Sequence, residues 1–307
     1  MKVVFFGNNR FGAIFLRKII EKIKIVLVVT NPDKIRGRKR MISPSPVKIV
    51  AEEFALEVFQ PKKLKEEKVV ERLTKEKEGV FLLAGFGRII PKELIDIPQK
   101  GFLNIHPSLL PKYRGPSPIQ AVILAGERKT GVSIHFLSEE VDKGDIISQK
   151  EIILNGKETY LELEEKLANL GGDLLLSIWD DFLQGKVRGK KQDEVKASYT
   201  KKFVFTDGEI FPHQEKAEEI ERKVRALNPE PGVFLKVKKN NQVKILKILE
   251  SEILEKKPVE KGKFFEENGW LALVCQDKSL LIKKLQLEGK KPIESKEFLK
   301  GNKWLLD

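Results

Sequence analysis

The sequence predicts an α/β protein of two domains, a parallel sheet flanked by helices followed by a smaller β-barrel. Three observations predict it. Apolar runs alternate with helix-like patterns through the first half, as in consecutive βαβ units. Beyond a basic, weakly apolar stretch at 186–202, the pattern changes to short strand-like segments separated by turn signals. A chain of 307 residues with 41% hydrophobic content is also long enough for two cores.

Lys2-Val-Val-Phe-Phe6 reads as the first buried strand, ended by Gly7. Asn8 to Gly12 turn the chain into a helical pattern from Ala13 to Lys22, and Ile25 to Thr30 form the second buried strand. Strand, helix and strand in quick succession imply a right-handed crossover and a parallel sheet. The basic stretch from Lys34 to Pro46 holds Gly37, Pro44 and Pro46, so an irregular loop is expected. Val47 to Leu56 reads as a helix, Glu57 to Phe59 as a short strand, and Leu64 to Lys77 as a charged amphipathic helix. Gly79 to Gly85 form the next buried strand, ending in the flexible Gly85-Phe86-Gly87. Gly7 and Gly12 alone are not the dinucleotide-binding fingerprint, so no nicotinamide cofactor is expected.

Phe102 to Ile105 form another buried strand, broken at His106-Pro107 because proline cannot donate to a sheet ladder. Ile119 to Gly126 are helical. Val132 to Leu137 and Ile146 to Leu154 are strand-like and suit a hairpin turning at Val141-Asp142-Lys143-Gly144-Asp145. Glu158 to Leu183 form a long helix with a break expected at Gly171-Gly172. Past the basic stretch, a helix from Lys216 to Leu227 ends at Asn228-Pro229, and strand-like segments follow at 233–238, 242–253, 270–275 and 279–286.

The net charge of +13 is unevenly spread. Residues 34–48 contribute +6 with no acid and residues 186–203 contribute +5, whereas 49–185 carry −5. Concentrated positive patches predict an anionic partner, nucleic acid first and a phosphorylated metabolite second. No apolar run reaches the length of a membrane span, and Lys2 leads directly into a strand, so no signal peptide is expected. The single cysteine, Cys275, cannot form an internal disulfide; a buried thiol and a cytoplasmic setting are expected.

The chain has three histidines, His106, His135 and His213. Their separation, with one cysteine, does not provide the spacings of a zinc site. No Gly-x-Ser-x-Gly elbow and no phosphate-binding Walker sequence occurs. His135 alternates with Ile134 and Phe136, which suits either a face shared with Ser133 or, as the favoured reading, a packed strand residue, and His213 reads as a surface residue. His106 differs, because it stands at a strand end, two residues after Asn104. Period-two alternation puts both side chains on one face, where open α/β sheets bind ligands. Asp142 is the leading carboxylate to join them, although Asp142 and Asp145 also suit a turn in which each bonds its own backbone. The three groups make sense for acyl transfer to an amine: an amide N–H for an oxyanion, an imidazole to move protons, and a carboxylate to orient the imidazole.

Two motifs carry a resemblance. Asn104-Ile-His106-Pro-Ser108-Leu-Leu-Pro111 resembles the active-site signature of the folate-dependent formyltransferases, and Val141-Asp142-Lys-Gly144-Asp145-Ile resembles their second catalytic loop. Arg114-Gly115-Pro-Ser-Pro118-Ile119-Gln120 is similar to the branch acting on methionyl-tRNA rather than on glycinamide ribonucleotide. The insert from Asn31 to Lys48 and Ala226-Leu227-Asn228-Pro229 agree with that branch. Gly7-Asn8-Asn9 departs from the family, where a Thr-Pro-like turn is usual.

The resemblance covers nearly the whole chain. It implies a Rossmann-like formyltransferase catalytic domain at 1–185, a basic linker at 186–203, and an OB-fold-like tRNA-binding domain at 204–307. It implies transfer of the formyl group of 10-formyltetrahydrofolate to the α-amino group of methionyl-initiator tRNA for translation initiation, with no metal and with a monomer expected. Asn104, His106 and Asp142 become the catalytic set. Ser108, Leu109, Leu110 and Pro111 would line the folate site, with Gly85, Phe86 and Gly87 near the pterin. Arg38, with Lys39 and Arg40, would meet the tRNA. The alternatives are a formyltransferase acting on an amino sugar nucleotide, which would share the catalytic residues, and a non-catalytic RNA-binding protein, which would need none of them.

Overall fold

Every residue of β1 (Val3–Gly7) is buried, as a central parallel strand covered on both faces requires. Asn9 then caps α1 (Arg10–Ile19) by accepting from Gly12 N at 3.0 Å, so the helix begins a turn earlier than its apolar pattern predicts. The computed structural model describes residues 1–36, 41–240 and 242–306. β2 (Ile25–Val29) is followed by β3 (Lys34–Arg36) and β4 (Met41–Ser43), which pair antiparallel. The basic stretch read as an irregular loop therefore contains two short paired strands. Ser45 caps α2 (Pro46–Glu53), with proline at the first helical position where its missing N–H costs no bond.

The unit continues through β5 (Val58–Phe59), α3 (Glu67–Thr74), β6 (Val80–Ala84), α4 (Lys92–Ile95) and β7 (Phe102–His106). α5 (Pro118–Ala125) precedes the antiparallel pair β8 (Lys129–Phe136) and β9 (Ile146–Ile153). The seven strands lie in the order β5-β2-β1-β6-β7-β8-β9. The first five are parallel, and β8 and β9 extend the edge antiparallel. On one face Val4, Phe6, Leu27, Val29, Phe81, Phe86 and Phe102 share a core, with the Phe6 and Phe102 rings 4.9 Å apart.

α6 (Tyr160–Leu183) is one continuous helix of 24 residues, so the break expected at Gly171-Gly172 is absent. The glycines serve packing instead. A Cβ at Gly171 would stand 2.9 Å from Ile105 Cγ2, so its absence lets α6 lie close to β7.

By its internal contacts the chain forms two units, one of Met1–Pro118, Lys129–Ile153 and Leu161–Lys201, the other of Ile119–Arg128, Leu154–Tyr160 and Lys202–Asp307. The basic stretch thus packs with the first unit as far as Lys201. In the second, α7 (Ala217–Leu227) buries Ala217, Ile220, Val224 and Leu227 along one stripe. It lies beside an antiparallel half-barrel of β10 (Val233–Lys239), β11 (Gln242–Leu254), β12 (Phe264–Glu267), β13 (Trp270–Val274) and β14 (Ser279–Leu287), in the order β10-β11-β14-β13-β12. β15 (Ile293–Glu294) pairs with β14, and α8 (Ser295–Lys300) follows. Cys275 is buried there, and burial pushes its thiol up to about 12.

Candidate active site

β7 ends at the C-terminal edge of the parallel strands, and the alternation of its side chains puts Asn104 and His106 on one face. They are 6% and 4% exposed, so what surrounds them decides their chemistry. β8 runs antiparallel to β7 in a register that sets His135 opposite Asn104 and Ser133 opposite His106. Directly opposed residues of an antiparallel pair share a face. His135, read from the sequence as a packing residue, therefore joins the cluster. Its neighbours in the sequence show only alternation; its partner becomes visible once the strand register is known.

The turn from β8 to β9 supplies Asp142. Its backbone is in the left-handed region at φ +53°, which aspartate and asparagine tolerate better than other non-glycine residues. Asn104 Nδ2 donates to Asp142 Oδ1 at 3.0 Å, and Nδ2 and His135 Nε2 are 3.1 Å apart. His135 Nδ1 lies 2.8 Å from the carbonyl of Phe136, so Nδ1 carries the proton and Nε2 accepts from Asn104. Asp142 Oδ2 accepts from Gly115 N at 2.7 Å and lies 3.5 Å from His106 Nδ1. His106 Nε2 meets the carbonyl of Tyr113 at 2.9 Å, and Tyr113 is itself held at φ +61°. A carbonyl can only accept, so His106 carries a proton on Nε2 and turns Nδ1 toward Asp142.

Charge follows from this packing. Burial pushes the His106 imidazole below its ordinary value, with Asp142 pulling the other way, so the ring is neutral near pH 7. Burial alone would raise the Asp142 carboxyl. Positive charge on His106 or His135, together with the N–H groups of Gly115 and Asn104 that the carboxylate accepts, outweighs it and holds the group far below the usual carboxylate range. A permanent carboxylate beside a neutral base stabilises the imidazolium that forms when the base takes a proton.

Ser133, on the same face, braces the loop after β7. Its hydroxyl donates to Ser108 O at 2.6 Å and accepts from Leu110 N at 3.0 Å. Gln149 Nε2 donates to Ser133 Oγ and Leu110 O at 2.7 and 2.9 Å. Ser108 and Leu110 are consequently buried, whereas Leu109 and Pro111 are partly exposed. At the end of neighbouring β6, Gly85 takes φ +59° and its carbonyl accepts from Asn8 N and Asn9 N. Phe86 points into the core against Phe6. Arg38, Lys39 and Arg40 lie outside the described residues.

A second network surrounds Arg114, which is fully buried. Its guanidinium donates to Gln192 Oε1, to both oxygens of Glu194 and to the Tyr199 hydroxyl. The sequence marks Arg114 only by resemblance, and the stretch supplying its partners reads as a linker. Among the described residues no group of three His, Cys, Asp or Glu converges as metal ligands, and no helix is long and apolar enough to cross a membrane.

The chain matches the family described as formyl transferase over residues 1–178 and that described as formyl transferase, C-terminal domain, over 206–303. It is 37% identical over 288 residues to a methionyl-tRNA formyltransferase of Carboxydothermus hydrogenoformans, covering 94% of this chain and 92% of the relative. It is 38% identical over 233 residues to that of Thermotoga maritima, covering 76% and 74%. An N-formyltransferase from Helicobacter canadensis, solved in complex with folinic acid and dTDP-3-aminofucose, shares the fold with a TM-score of 0.66 at 20% identity, over 92% of this chain and 98% of that one. HypX from Aquifex aeolicus in complex with tetrahydrofolic acid does so with a TM-score of 0.68 at 20% identity, over 98% of this chain and 48% of that one.

Proposed function

The chain belongs to the formyl transferase family, and on that premise we propose that it transfers the formyl group of 10-formyltetrahydrofolate to the α-amino group of methionyl-initiator tRNA. The observation that carries this reading is the buried cluster of Asn104, His106, His135 and Asp142, in a chain similar to methionyl-tRNA formyltransferases across both of its domains.

The neutral amine of the aminoacyl group attacks the formyl carbon, and the carbonyl oxygen becomes an oxyanion. Both N–H groups of Asn104 are occupied in the free site, one by a carboxylate and one by a neutral imidazole. The imidazole nitrogen is the weaker acceptor, so the developing oxyanion displaces His135 as the partner of Asn104. His106 takes the amine proton at Nδ1. The resulting imidazolium has both of its N–H groups received, one by Asp142 and one by the Tyr113 carbonyl. The tetrahedral intermediate collapses as the bond from carbon to the folate nitrogen breaks, and His106 returns the proton to that nitrogen. Leu109, Pro111 and the backbone of 85–87 would face the folate, with Ser108 and Leu110 holding that wall in place.

The basic segments at 34–48 and 186–203, with Arg38, Lys39 and Arg40 in the first, would hold RNA phosphates, whose contacts position without reading sequence. A substrate of translation initiation places the reaction in the cytoplasm, and a single chain supplies every residue of the cluster. The structural kinship with sugar N-formyltransferases leaves amino sugar nucleotides as the rival acceptor. Formylation assayed with 10-formyltetrahydrofolate separates the two. Methionyl-initiator tRNA should be formylated, and turnover on an amino sugar nucleotide with none on the tRNA would overturn the reading.

A further inference from the structure

Gln192 lies fifty residues beyond Asp142 in the stretch that reads as a linker, yet its side chain reaches the catalytic turn. Gln192 Nε2 donates to the carbonyl of Asp142 at 2.7 Å and to that of Gly144 at 2.8 Å. Its Oε1 accepts from Arg114 Nε and Nη2 at 3.1 and 2.8 Å. Arg114 in turn is anchored by Glu194 and Tyr199, and the residue after it, Gly115, donates to the Asp142 carboxylate. Main chain around the two residues reinforces the link: Arg114 N donates to Ser198 O at 2.9 Å and Thr200 N to Arg114 O at 2.7 Å.

Asp142 is thereby gripped at both ends, its backbone by Gln192 and its carboxylate by Gly115, and both grips lead back to Arg114. A turn residue at φ +53° with a largely buried charge needs such fixing, because reacting groups displaced by about 1 Å lose roughly 10²-fold in rate. We propose that Gln192 is a positioning residue of the transfer reaction, setting the Asp142 carboxylate against His106 and Asn104 from the basic stretch 186–202. The inference rests on the reading of Asp142 given above.

Gln192→Glu is the discriminating variant. It keeps an acceptor for Arg114 while losing both donors to the catalytic turn. Gln192→Ala adds no charge but removes the Arg114 acceptor as well as both donors, leaving Arg114 its bonds to Glu194 and Tyr199. In the full-length enzyme each should lower kcat about 10-fold or more, with KM for the folate and for the formyl acceptor unchanged. Placed on Asp142→Asn, either substitution should cost little further, because the group being positioned is already lost. Effects that multiply in the double variant, or wild-type kcat in both single variants, would overturn the assignment. Asp142→Asn measured alone keeps the two readings apart: near-normal turnover there removes the catalytic role of Asp142, and with it the purpose of the clamp. A slow Asp142→Asn with multiplicative Gln192 effects removes the clamp only.

Discussion

Asp142→Asn tests the electrostatics of the site with little steric change, since asparagine tolerates the left-handed backbone at this position. The carboxylate is 11% exposed and stands 3.5 Å from His106 Nδ1. An opposite charge this close moves a pKa by about 1–3 units, each worth about 1.4 kcal/mol. Burial already holds His106 below its ordinary value, and Asp142, ahead of the Tyr113 carbonyl, works against that burial. Removing its charge lowers the imidazole further. The neutral base is present above its pKa and lost as pH falls through it, so the acid limb of kcat/KM should move down by about one unit or more. The plateau should fall about 10²-fold, because the imidazolium formed during transfer loses its counter-charge and Asn104 loses a charged acceptor. Stability changes with the opposite emphasis. The depressed Asp142 group stabilises the fold above about 3.9 and ceases to as pH falls through its folded value, so the variant should unfold less steeply in acid. The assay is formyl transfer from 10-formyltetrahydrofolate to methionyl-initiator tRNA as a function of pH. An acid limb that stays in place or rises, or a plateau within about threefold of wild type, would refute the reasoning.

Ser133→Ala should destabilise the protein by about 2–4 kcal/mol, because it leaves the buried Leu110 N–H without its acceptor and Ser108 O without its donor. Its kinetic effect should be a raised KM for the folate with KM for the tRNA unchanged, read from thermal unfolding and steady-state rates. Gly171→Val places a Cβ 2.9 Å from Ile105 Cγ2 and 3.4 Å from Val132 Cγ1, which should cost about 1–3 kcal/mol of overpacking. Ile105 separates Asn104 from His106, so turnover of the folded variant should fall as well; a rate equal to wild type would show that α6 does not help set β7.

Much of the fold is legible because buried strands carry continuous apolar runs, as β1, β2 and β6 do. Element ends depend on single capping residues. Asn9 and Ser45, each accepting a backbone N–H from three residues on, start α1 and α2, and only Ser45 is flagged by a following proline. The glycine pair in α6 misleads because its penalty in an isolated helix is outweighed by close packing on β7.

By itself, then, the sequence determined the parallel sheet, the pairing of Asn104 with His106 on one face, and the turn that carries Asp142. Each depends on neighbours in the chain: apolar period, strand alternation and turn-forming residues act over a few positions. Tertiary structure alone decided that His135 faces Asn104, that Ser133 braces the loop after β7, and that Arg114 and Gln192 grip the catalytic turn. Those contacts join residues 23 to 78 positions apart, through an antiparallel register and a buried guanidinium. No local preference specifies such partners. They meet because β7, β8 and the stretch after α6 pack together and bring their polar groups within bonding distance.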